Sequence, residues 1–316
     1  MSSPGARLRL EFAAKAFLWC SFLGSLAAGA LRLHGAAMAA EEHRVDLGVW
    51  TVESRPDWCT TEDLRGVRDA SGLGGRWAGL LDPKAGAAVW ESLERSPRVR
   101  RVVAIRRRLP DRFEVLLDVR RPVAAVRLPG TSPRFVEIDA EGRALAAPSP
   151  VRPVRGGSPL RIVTGASTQG VAPGQTFGPD VVEAAALAGE FADVANAEHR
   201  EALLLLDEID VTNFHGRRDR GSSEVLLRPT GWAPAGPAPG ASPAPRPSPA
   251  RTPSRPSCVV EWGRARSSDP WDPEPTFGSK TAHVLQALRM FPRLDGLSRV
   301  RVAFDDLVVI PASASR

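Results

Sequence analysis

The chain has 316 residues, 43% of them hydrophobic, enough for two small domains with cores of their own. The formal charge is +6 and the pI about 10.1. Arginine is nevertheless interleaved with Asp and Glu along the whole length. No concentrated basic face and no nucleic-acid module stand out, which argues against a nucleic-acid partner.

Residues 12–31, Phe12 to Leu31, form an almost wholly apolar run with Lys15 as its only charge. At 1.5 Å per residue such a helix covers about 30 Å, one hydrocarbon thickness. Arg7, Arg9 and Lys15 sit before or at its start; Arg32 follows it, and then Glu41 and Glu42. A single transmembrane helix with a cytoplasmic N-terminus and an inner-membrane location is therefore expected. A cleaved signal peptide competes, since Ala37-Met38-Ala39 has the small-x-small form of a cleavage site. Trp19 before Cys20 argues against a lipoprotein.

Residues 1–11 then form a short tail and 32–43 a linker. Arg44 to Val52 reads as a first strand. Thr60-Thr61-Glu62-Asp63 is a helix start with a hydroxyl cap and early acids. Gly72 to Gly75 ends that helix. Asp82-Pro83 opens a second, with Asp as N-cap and Pro at its first position. Its Ala85, Val89 and Leu93 share a face, and Ser96-Pro97 closes it. A strand, a turn at Leu109-Pro110-Asp111 and a second strand follow. In the latter Phe113, Val115, Leu117 and Val119 alternate with Glu114, Leu116, Asp118 and Arg120, Leu116 being the one exception, so one face is buried and the other mostly wet. Over residues 44–121 the order is β-α-α-β-β, a two-layer α+β domain.

From Pro122 the texture changes to short strands: Val123–Leu128, Arg134–Ile138, Arg143–Ala147 and Leu160–Val163. Asp139-Ala140-Glu141-Gly142 is a hairpin turn with glycine at its left-handed position. Pro179 to Ala195 suits a helix and Ala202 to Val211 a buried strand. Glu224–Arg228 and Cys258–Gly263 read as two arms of one hairpin. Thr230 to Ser257 between them is mostly Pro, Ala, Gly, Ser and Arg, and is expected to be a disordered surface insertion. Gly278-Ser279 caps a last helix with a Val284, Leu288, Phe291 stripe. Two strands, Arg299–Phe304 and Leu307–Ile310, close a mixed β-domain over 122–311, with 312–316 as a tail.

Candidate chemistry is thin. No nucleophile elbow, phosphate loop or zinc signature occurs, so no catalytic, cofactor-binding or metal residue is assigned. Gly165 to Gly170 is bounded by glycines but does not run from strand to helix in a βαβ unit, and reads as a surface loop. Asp207, Glu208 and Asp210 read as solvated strand charges, Arg217 as a surface charge, and the five histidines as scattered surface residues. The three cysteines form no CxxC pair, and a Cys59–Cys258 disulfide would have to join two domains.

Several short stretches, in this order, resemble the FtsQ/DivIB family of bacterial division proteins. They are Ser96-Pro97-Arg98-Val99, Arg108-Leu109-Pro110, Arg121-Pro122-Val123-Ala124 and Phe135-Val136-Glu137-Ile138-Asp139-Ala140-Glu141-Gly142. Lys280 and Val300-Arg301-Val302-Ala303-Phe304-Asp305 match more weakly. The family usually has Glu three residues before the boundary proline, where this chain has Val119. The resemblance implies a POTRA domain followed by an FtsQ-type β-domain. It implies a non-enzymatic, membrane-anchored scaffold without cofactor or small-molecule substrate, whose partners are FtsB- and FtsL-like bitopic proteins. Binding would add a partner strand at the C-terminal sheet edge. Leu307, Val308, Val309 and Ile310 would form that edge, with Val300, Val302 and Phe304 on the supporting strand; Val300 and Val302 equally suit a sheet core. The alternative is a secreted or periplasmic POTRA-like binding module with a cleaved signal peptide.

Overall fold

In the computed structural model, residues 4–39, 44–80, 82–108, 112–167, 171–194, 199, 203–220, 222–229, 258–263, 275–303 and 306–312 are described. They form α+β units: the chain divides into Met1–Val119 and Arg120–Arg316.

The first element, α1 (Pro4–Ala39), is a 36-residue helix. Its described side chains from Phe17 to Leu33 are exposed and join neither hydrophobic core. The expected transmembrane helix is corrected here. Among the described residues, no helix is long and apolar enough to cross a membrane. The single-pass inner-membrane location that rested on it is withdrawn too. Ten of residues 12–31 are Ala, Gly or Ser, and Lys15 interrupts the run. Small residues add far less transfer free energy than Leu or Phe, so length alone overstated the span.

The rest of the first unit contains β1 (Arg44–Asp46), β2 (Trp50–Val52), α2 (Thr61–Ser71), β3 (Trp77–Gly79), α3 (Pro83–Arg95), β4 (Val99–Arg108) and β5 (Arg112–Val119). A three-stranded sheet has the order β2-β5-β4, with β2 parallel and β4 antiparallel to β5. The single strand expected over 44–52 is two. The Asp46 carboxylate accepts from the Gly48 N–H at 2.8 Å and the Gly75 N–H at 3.2 Å, which folds the chain back between them. Gly48 packs so close to Gly74 that a Cβ would lie 2.7 Å from its Cα. β1 then pairs with β3, a strand the sequence did not suggest.

Both helix starts form as their caps require. Thr60 and Asp63 make a reciprocal capping box, and Gly72 ends α2 at φ 63°. Asp82 accepts from the Lys84 N–H, with Pro83 in the first turn of α3. Val67, Leu73, Leu80, Val89 and Leu93 meet Phe113 and Val115 in a core where each is 0% exposed. In β5 burial alternates residue by residue, as the sequence period demands. The turn at Leu109-Pro110-Asp111 lies outside the described residues.

The second unit contains β6 (Ala124–Leu128), β7 (Arg134–Ile138), β8 (Val154–Arg155), β9 (Ser158–Pro159), β10 (Arg161–Thr164), α4 (Pro179–Ala192), β11 (Leu206–Asp210), β12 (Val225–Pro229), β13 (Val259–Gly263), α5 (Phe277–Met290), β14 (Leu297–Arg301) and β15 (Val308–Pro311). Eight strands form one mixed sheet in the order β15-β14-β13-β12-β11-β10-β6-β7. The pairs β6–β10, β10–β11 and β13–β14 are parallel. Phe191 of α4 and Phe277 of α5 meet over Trp262 of β13, with ring centroids 5.3 to 5.7 Å apart. Val126, Val136, Val163, Ile209, Leu227, Val260 and Val300 belong to the same core.

Three local readings change. Residues 143–147 make isolated bridges to β7 and Thr176 rather than a strand. The strand expected from Ala202 begins only at Leu206, because Leu203 and Leu204 are helical. The Arg161 guanidinium donates to the carbonyls of Leu203 and Leu206, both at 3.2 Å, and so holds that turn. Burial lowers the Arg161 pKa to about 10, against the opposing pull of Asp207. The last helix is capped by Thr276, whose side chain accepts from the Ser279 N–H, two residues before Gly278-Ser279. The insertion at Thr230–Ser257 lies outside the described residues, but its flanks β12 and β13 pair antiparallel, as one hairpin requires.

Candidate partner-binding edge

The two ends of the large sheet differ. At β7 the following chain folds back: Phe135 and Ser149 exchange backbone hydrogen bonds at 2.8 and 2.9 Å, and the Leu145 N–H donates to the Glu137 carbonyl at 2.8 Å. That edge is covered by its own loop. At the other end β15 pairs with β14 on one side, and among the described residues no strand lies beyond it. It therefore presents a row of backbone donors and acceptors outward.

The register places the side chains. Arg299 faces Ile310, Val300 faces Val309, and Arg301 faces Val308. Leu307 and Val309 pack on the hydrophobic core, while Val308 is 40% exposed. Val300 and Val302 are each 0% exposed, so they back the edge from inside the core. Phe304 lies outside the described residues. Arg299 and Arg301 share Glu261 of β13 at 3.0 and 2.7 Å, which fixes a charged row one and two strands in from the edge. Ser298 Oγ donates toward the Ile310 carbonyl at 3.1 Å, and the Ala312 N–H donates to the Gly296 carbonyl at 2.9 Å. These bonds pin the end of β15, and Pro311 offers no N–H there.

Elsewhere the clustered acids of β11 have structural partners. Arg228 meets Asp210 at 2.7 Å, Thr164 donates to Glu208 at 3.0 Å, and Arg152 meets Asp207 at 2.9 Å. Glu208 and Asp210 are thus cross-strand ties, and Asp207 ties β11 to the chain before β8. Gly165 is a tight contact: a Cβ there would lie 2.0 Å from Thr212 Oγ1. Lys280 is buried, its Nζ 5.6 Å from the Trp262 ring centre. Cys59 and Cys258 are both free and buried. Burial raises the Cys258 thiol pKa to about 11. Among the described residues no group of His, Cys, Asp and Glu could hold a metal ion.

One constellation escaped the sequence reading. Asp180, 1% exposed in the first turn of α4, accepts from the Ser167 N–H at 3.0 Å and its own neighbour Val181 N–H at 2.9 Å. Arg217 donates to it at 2.6 Å and lies 5.7 Å from the Phe214 ring centre. Burial pulls the Asp180 carboxyl upward, but the bonds from Arg217, Ser167 and Val181 outweigh it and leave the pKa below the ordinary 3.8. Arg217 therefore ties its loop to the start of α4, where Asp180 also holds the Ser167 loop, and is not a plain surface charge. Nothing in the spacing of residues 167, 180 and 217 announces this.

No family model matches the chain, and no curated protein is detectably similar to it.

Proposed function

We propose that the chain is a non-enzymatic scaffold of the FtsQ/DivIB kind, which holds FtsB- and FtsL-like division proteins by adding a partner strand to β15. The observation that carries this reading is the asymmetry of the eight-stranded sheet. One end is closed by the chain itself, and the other ends in an apolar strand with no strand beyond it among the described residues. Such an edge favours aggregation unless something covers it. A partner strand would gain backbone hydrogen bonds along Leu307–Ile310 and apolar contact with Val308. The order of the family-like stretches in the sequence supports the choice of partner class.

The test is Val309→Pro. Proline removes one N–H and disturbs the strand, so an added strand loses a bond or its register. Pull-down of FtsB- and FtsL-like proteins is expected to fall at least tenfold, with folding checked by circular dichroism. Wild-type capture by a folded variant would place binding elsewhere.

A further inference from the structure

The helix α1 leaves its described side chains outside both hydrophobic cores, yet its large apolar residues follow a pattern. Trp19, Leu26 and Leu33 recur every seven residues, and Phe12 precedes them at the same spacing. Phe22 and Gly29 come three residues after Trp19 and Leu26. A repeat of seven keeps all of these on one side of a helix and forms the seam along which two helices coil about each other. The Trp19 and Phe22 rings meet edge to face with centroids 6.2 Å apart, so the two share that side.

The seam is uncovered. Trp19, Phe22, Leu23, Leu26 and Leu33 are 54 to 75% exposed. Taking roughly 150 Å² for each aromatic and somewhat less for each leucine, they offer on the order of 700 Å² of apolar surface. That is close to the roughly 800 Å² that each partner covers in a stable interface. A contiguous apolar patch of this size marks an interaction surface. Charge fixes the direction of the partner. Lys15 stands seven residues before Phe22, and so on the seam itself. A parallel copy would set Lys15 against Lys15, and Arg7 and Arg9 beside their own counterparts.

We propose that α1 pairs with α1 of a second copy of this chain in an antiparallel coiled coil, with Gly24 of both copies at the two-fold axis. In that register Trp19 packs over Gly29 of the second copy and Phe22 packs against its Leu26. Bulk then meets a gap: a Cβ added at Gly29 would touch nothing of its own chain within 4 Å, which leaves room for an indole. Lys15 lies alongside Leu33 of the second copy, with its stem on the seam and its ammonium in water. The two Lys15 side chains are about 27 Å apart along the axis. The helices overlap over residues 9–39, roughly 46 Å, and their dipoles oppose each other. One patch serves both copies, the self-complementary form of a two-fold dimer. Phe17 and Leu31 fall on the opposite side of the helix and take no part. The inference concerns α1 alone and does not rest on the reading of β15 given above.

The experiment uses the full chain. In sedimentation equilibrium it is expected to be a dimer at about 20 μM. Gly29→Trp fills the seat of Trp19 while favouring the helix, so it is expected to raise the dissociation constant at least tenfold. Phe17→Ser, on the opposite side, is expected to leave it unchanged. Direction is read by disulfide cross-linking in a Cys20→Ser background, since Cys59 and Cys258 are buried. Phe22→Cys protein mixed with Leu26→Cys protein is expected to cross-link at least fivefold faster than either alone. Because α1 joins neither core, every variant is expected to keep the wild-type thermal melt by circular dichroism. A monomer at all concentrations would overturn the proposal, whether or not phosphatidylglycerol vesicles then take up α1. A dimer that Gly29→Trp leaves intact would overturn it too, as would equally fast cross-linking of each cysteine variant with itself, the mark of a parallel pair.

Discussion

Replacing Arg217 by glutamate tests whether the buried Asp180 carboxylate is held by its partners or merely tolerated. Asp180 is 1% exposed, and Arg217 meets it as a side-chain cation at 2.6 Å. Removing a charge-assisted hydrogen bond to a buried carboxylate costs about 1.5–3 kcal/mol. The Arg217 side chain is 36% exposed, so solvent screening trims this toward the lower end, about 1.5 kcal/mol. A glutamate adds repulsion, which it relieves in part by swinging into water; about 2–3 kcal/mol in all is expected. The sign with pH follows from the direction of the shift. The Asp180 pKa is depressed in the folded protein, so its contribution is present above the ordinary 3.8 and is lost as pH falls through the folded value. In Arg217→Glu that pKa rises, and the deficit relative to wild type shrinks as Asp180 protonates at higher pH than before. Urea unfolding of both proteins at pH 7 and at pH 4 measures the change. Hydrogen exchange over residues 162–167 and 211–217 shows whether the loss begins at the stapled loops. A deficit under about 0.5 kcal/mol at pH 7, typical of a surface substitution, would refute the reasoning.

The buried thiols Cys59 and Cys258 are expected to resist iodoacetamide at pH 8 in the folded protein while exposed Cys20 reacts, because burial raises both pKa values. Mass spectrometry of labelled peptides reads this, and fast labelling of Cys258 would contradict its placement. Thr60→Ala removes the hydroxyl that accepts from the Asp63 N–H at 3.2 Å and is expected to cost about 1 kcal/mol in urea unfolding. Shortening Thr230–Ser257 to about seven residues changes closure entropy by about 1 kcal/mol, so the melting temperature is expected to move by only a few degrees. A much larger fall would mean that the segment packs on the unit.

What the sequence carried by itself was local. The period of two in β5, the Thr60–Asp63 box, Asp82-Pro83 and the turn at Asp139–Gly142 each depend on residues a few positions apart. All took the form that near-neighbour chemistry dictates: Gly142 has φ 70°, and Asp139 accepts from the N–H groups of Glu141 and Arg143. The β12–β13 hairpin was legible too, because both arms are apolar and flank one biased segment.

Wherever distant residues decide, the sequence was silent or misleading. The four leucines at 203–206 suit strand and helix alike, and Arg161 from another strand holds the first of them in a helical turn. Arg217 became a staple only when folding brought Asp180 to it. α1 shows the limit of counting length, since a run of Ala, Gly and Ser is apolar without being apolar enough. The exposed edge was guessed from four consecutive apolar residues at the C-terminal end. That its opposite edge is closed follows from strand order. Strand order depends on which non-local pairings bury the most surface, and no short window of sequence contains that information.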